Sequence, residues 1–220
     1  MSLLPCLEPS APAQEALSRL MEPGDIPGLA RGFSSWQALV ALSSVEPRNA
    51  IRLIAGWLST REAIWWGALC MAQLSKAGLM NGSDKAVLEK VVAWVKDPTD
   101  QARNAVGTPQ HEVSPTPVSL LATAVALTSD NISPYSRHPI PGPSGLPHRL
   151  VAHSVLLASI CWPDMDASSC LSHFIRIGLE VSDVKILWKP DALPPHPGLR
   201  QPPVVVARPA RGLKNIWEDW

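Results

Sequence analysis

A surplus of charge of either sign is the first thing missing, since 19 Lys and Arg stand against 19 Asp and Glu in 220 residues, with neither a long basic run nor an acidic block. Nothing in such a balance steers the chain to nucleic acid or to an anionic lipid surface, so neither is an expected partner. Long apolar runs are missing too. No stretch reaches the about 18 uninterrupted apolar residues of a transmembrane helix, because even the tryptophan-rich segment is broken by Gln73 and Ser75. The first residues lack the basic start and apolar core of a secretory leader, being interrupted by Pro5, Glu8 and Pro9. Cys6, Cys70, Cys161 and Cys170 show no framework spacing in a chain long enough to stabilise itself by burial. They read as reduced thiols of a cytoplasmic protein. Catalytic, phosphate-binding and metal motifs of high specificity are lacking as well.

What the chain has in excess is proline, 23 residues or about twice the usual share. The prolines fall between helical patterns, where they do not incur the roughly 3 kcal/mol cost of a helix interior, and so mark element boundaries. The pattern predicts helices over 13–21, from a cap at Ser34 or Ser35, over 47–58 with Pro47 in the first turn, and over 60–78 with Thr60 as cap and Gly78 as stop. It predicts further helices opened by Ser83-Asp84 and stopped by Asp97-Pro98, capped by Thr99 over 100–106, begun at Thr116-Pro117 through 127, and over 148–161 and 167–181. Residues 129–147 form a long loop, of the kind that lines a site or merely connects. Val204 to Ala207 is a brief β-prone run confined by Pro202, Pro203 and Pro209 to an extended or edge role. The expected fold class is therefore all-α. A single multi-helix domain of about eight or nine short helices spans 11–182, followed by a Pro-rich linker and Trp-containing tail over 183–220.

The most informative segment is Arg61-Glu62-Ala63-Ile64-Trp65-Trp66, too apolar for a surface helix beyond its charged start. Together with Trp94-Val95, Asp97-Pro98-Thr99-Asp100 and Arg103, and with the apolar helix and Phe174 to Gly178 region later in the chain, it resembles an uncharacterised family of bacterial all-helical proteins. That resemblance covers 23–182. It implies a bacterial, cytoplasmic, all-helical protein, with an association with secretion or envelope assemblies, and transfers no catalytic residue.

Arg61 and Glu62 are adjacent and point about 100° apart on a helix, so each needs a partner elsewhere. Asp100 and Arg103, at the start of another expected helix, carry complementary charge. Such a network would hold helix ends in register or, as a site, would bind a small anion or peptide carboxylate through an arginine fork. The architectural role is the first expectation. Trp57, Trp65, Trp66 and Trp94 would serve as an aromatic cage or, more economically, as core. His153, Cys161, Cys170 and His173 are the one candidate zinc set, but their spacing matches no zinc motif, and packing is the simpler reading. Cys170 beside His173 is a weak version of a nucleophile with its base. No cofactor is expected.

In the tail, Leu213, Ile216, Trp217 and Trp220 form an amphipathic cluster suited to docking, either on a protein partner or back on its own domain. The functional expectation is a non-enzymatic adaptor or accessory protein acting through protein–protein interaction. The competing expectation is a small-molecule-binding protein or enzyme with a pocket around Arg61, Glu62 and Arg103. A homo-oligomer would be signalled by an apolar helix face left uncovered.

Overall fold

The computed structural model describes residues 3–107, 115–129, 131–132, 138, 140–163 and 166–183. Among these residues it forms nine α-helices and two short 3-10 turns: α1 Ala13–Ser18, α2 Ser35–Val45, α3 Pro47–Trp57, α4 Thr60–Lys76, α5 Gly82–Lys96, α6 Asp100–Val106, α7 Pro117–Ala126, α8 Leu146–Ser159 and α9 Ala167–Ser182, with the turns Pro23–Asp25 and Gly28–Ala30 between α1 and α2. The all-α expectation holds, and the helix count with it. The Val204 to Ala207 run and the whole tail lie outside the described residues.

Local chemistry accounts for the boundaries. Ser34 caps α2 in a reciprocal box with Gln37, Pro47 and Pro117 occupy first turns, Thr99 caps α6, and Gly78 follows α4 with φ +73°. Four details differ from the sequence expectation. The cap of α4 is Ser59, whose hydroxyl accepts the Glu62 N–H (3.3 Å) while Glu62 Oε2 accepts the Ser59 N–H (2.9 Å). Thr60 is instead the first helical residue, and its Oγ1 accepts the Leu4 N–H at 2.9 Å. Asn81, not Ser83-Asp84, caps α5, accepting the Asp84 N–H at 2.7 Å. Helix α1 closes at Ser18, three residues early, and α8 opens at Leu146, so the interval after α7 is 127–145, as long as expected but set two residues earlier.

Helix α4 is the axis of the fold. It touches α3, α5, α7, α8 and α9, and 14 of its 17 residues are buried. Trp65, Trp66, Trp57 and Trp94 all lie in the core, with the Trp66 indole N–H donating to the Phe174 carbonyl (2.9 Å) and that of Trp57 to the Leu7 carbonyl (2.7 Å). Such burial, with the Trp57 and Trp66 indoles paired and that of Trp94 left without an acceptor, is core packing and not an open aromatic cage. Glycine permits the closest crossings. A Cβ at Gly178 on α9 would lie 2.7 Å from Ile54 and 3.0 Å from the Trp66 indole nitrogen, and one at Gly56 on α3 would strike the Ala16 carbonyl of α1.

The packed body also extends ahead of α1. The Leu7 N–H donates to the Trp57 carbonyl (2.9 Å) and the Thr60 N–H to the Leu4 carbonyl (3.0 Å), so an extended amino-terminal segment is stitched to the elbow between α3 and α4.

Candidate functional site

The charges that stood out in sequence are placed at helix ends. Arg61, in the first turn of α4, donates from Nε to the Val95 carbonyl (2.7 Å) and from Nη2 to the Lys96 carbonyl (3.0 Å), closing the carboxyl end of α5. A cation at that end answers the carbonyls that the helix leaves unpaired. Burial lowers the Arg61 pKa, and the nearby Asp97 charge opposes that shift. Glu62 is 2% exposed and belongs to the Ser59 capping box. Arg103 lies 2.8 Å from Asp100 one turn earlier on α6, so this pair forms within one helix. Arg61 thus ties α4 to α5, while Asp100 and Arg103 organise the start of α6.

A second polar cluster, invisible in the sequence, gathers near the start of α4. Arg19 donates to the carbonyls of Pro5 (2.9 Å) and Gly56 (3.0 Å). His148 is 1% exposed, and its ring nitrogens have no hydrogen-bond partner. Burial first, and the Arg19 charge second, push its pKa down to about 4, against a smaller opposing pull from the Leu58 carbonyl. Cys6 is held well above the usual thiol range by burial and the Glu62 charge.

The cysteine and histidine candidates resolve in the same way. Among the described residues, no group of three or more His, Cys, Asp or Glu side chains is placed to hold a metal ion. Burial, then Asp166, pushes Cys170 up to about 11, which keeps the thiol protonated at neutral pH. A nucleophilic cysteine needs the opposite shift. His173 Nδ1 faces Arg176 Nη2 at 2.7 Å, and burial followed by that arginine's charge lowers its pKa.

Among the described residues, two open clefts lie elsewhere, on the exposed side of α3. One cleft of about 460 Å³ is lined by Leu20, Met21, Glu22, Asp25, Arg52, Arg149, Ala152 and His153. A second, of about 510 Å³, runs between the α2–α3 corner and the start of α9, with Val45, Arg48, Arg52 and Leu171 among its walls. Arg52 lines both, donating to Asn49 Oδ1 (2.8 Å), and Asn49 in turn donates to Glu46 Oε2 (2.6 Å). His153 has a lowered pKa, caused first by burial and then by the charges of Arg52 and Arg149, so these three basic side chains sense one another. They come from α3 and α8, about a hundred residues apart in sequence. No spacing rule would have joined them, although Arg149 and His153 do share one helix face at i,i+4.

This is a helical body with a buried tryptophan axis and a shallow, mixed-charge surface along one side. Residues 38–182 match the family of unknown function DUF6931, and the chain belongs to that family. No curated protein and no solved structure matches it.

Proposed function

We propose that this protein is a non-enzymatic adaptor or accessory protein of the bacterial cytoplasm, acting through protein–protein contacts in a secretion or envelope-associated assembly. The observation that carries the reading is the pair of open clefts joined by Arg52, beside the exposed side of α2. Shallow surfaces that mix apolar walls with arginines suit a polypeptide partner, since arginine forks fix carboxylates while the apolar walls supply contact area. The bonds of Arg61, Glu62 and Arg103 at helix ends weigh against a small-molecule pocket built on them. The raised thiol pKa values of Cys6 and Cys170 weigh against cysteine chemistry.

The test is quantitative affinity capture with the full chain, comparing wild type with Arg52→Glu combined with Arg149→Glu, after melting curves establish equal folding. Partners that depend on the cleft should fall about tenfold in recovery, the factor expected from losing about 1.4 kcal/mol of binding. Equal recovery with both chains would remove the reading.

A further inference from the structure

Helix α2 carries no charged residue in eleven, and only four of the eleven are buried. Its exposed positions are Gln37, Val40, Ser44 and Val45, uncharged and half of them apolar, with Val40 36% and Val45 67% exposed and Phe33, just ahead of the cap, 46% exposed. The i,i+4 row Gln37, Ala41 and Val45 runs along the helix into the second cleft, where Leu171 forms apolar wall and Arg48 and Arg52 supply positive charge. Glu46 at the same corner is already engaged by Asn49.

One segment of this chain has the matching chemistry. Leu213, Ile216, Trp217 and Trp220 stand at i, i+3, i+4 and i+7, so a helical register gathers them on one stripe, and Glu218 and Asp219 lie beside the two tryptophans. We infer that Leu213 to Trp220 docks on the α2 ridge of its own chain, with the tryptophans toward Val45 and Leu171 and the acidic pair toward Arg48 and Arg52. This inference goes beyond the adaptor reading and stands whether or not the clefts take a partner.

Reach permits it. The start of α9 lines the cleft and α9 has 16 residues, so Asp183 lies about 24 Å along the helix from the docking surface. Between Asp183 and Leu213 stand 29 residues, seven of them proline, and a chain of that length reaches about 30 Å. Tethering at that length sets an effective concentration near the millimolar range, an advantage that a second copy of the chain lacks. A second copy's α2 also offers no charge to answer Arg48 and Arg52.

The experiment is limited trypsin digestion of the full chain, following cleavage after Lys214 relative to cleavage after Arg200 by mass spectrometry. Docking shields Lys214 and leaves Arg200 in the connection. Val45→Glu together with Arg48→Glu, both at exposed positions, should raise the Lys214-to-Arg200 ratio about tenfold, because cleavage follows the undocked population. The wild-type ratio should not change on dilution. An identical ratio in wild type and variant would overturn the inference. Protection that fades as the protein is diluted would overturn it equally, assigning the surface to a second copy.

Discussion

Helices α4 and α2 are both rich in apolar residues, yet 14 of the 17 residues of one are buried and only four of the eleven of the other. The difference lies in their neighbours. Helix α4 is surrounded by five helices, whereas α2 sits at the edge against α1, α3 and the turn before it. In the first case apolar composition builds a core; in the second it leaves a surface whose exposure has to be explained by something else.

Substitutions test that contrast, and the largest effect belongs to the axis. Trp66→Ala on α4 should cost about 4 kcal/mol, chiefly through the cavity, with the loss of the indole bond to the Phe174 carbonyl a smaller part, measured by chemical denaturation. The next effect depends on pH. His148 titrates near 4 when folded and near 6.5 when unfolded, so the unfolded chain takes up the extra proton between those values. Stability should be unaffected by this group above about pH 7 and should fall by about 3 kcal/mol as pH drops from 6.5 to 4. Comparing wild type with His148→Leu isolates it, since carboxylate titration is common to both; parallel profiles would contradict the assignment. Ser59→Ala should cost about 1 kcal/mol by opening the α4 capping box. Val45→Ser on α2 should change stability by less than about 0.5 kcal/mol, and a cost comparable to that of Trp66 would erase the distinction between the two helices.

The helices were legible because their boundaries are written in local chemistry. Pro47, Pro117, Thr99 and Gly78 each serve a role that depends on a residue's own backbone and its near neighbours. Ser59 was legible too, as the first residue of Ser-Thr-Arg-Glu, but Thr60 offers a competing hydroxyl one position later. Asn81 lost to Ser83-Asp84 for the same reason, since several cap-forming residues stand together. The clefts were not legible. Arg52 and Arg149 meet only because α8 crosses α3, and His153 reads in sequence as a metal candidate until that crossing gives it two arginine neighbours. Arg61 stood out in sequence, but its partners are carbonyls 34 and 35 residues away, which every residue type supplies. His148 gave no signal, because its environment is made by Arg19 and Leu58 from distant turns.

The stitch between the amino-terminal segment and the α3–α4 elbow carries a consequence for biosynthesis. Leu4 and Leu7 leave the ribosome some fifty residues before Thr60 and Trp57, a delay of about 3 to 10 seconds at ordinary elongation rates. During that interval the nascent strand has nothing to clasp. The Trp57 indole finds its acceptor on Leu7 only when that closure happens, so the earliest residues made are among the last to be fastened.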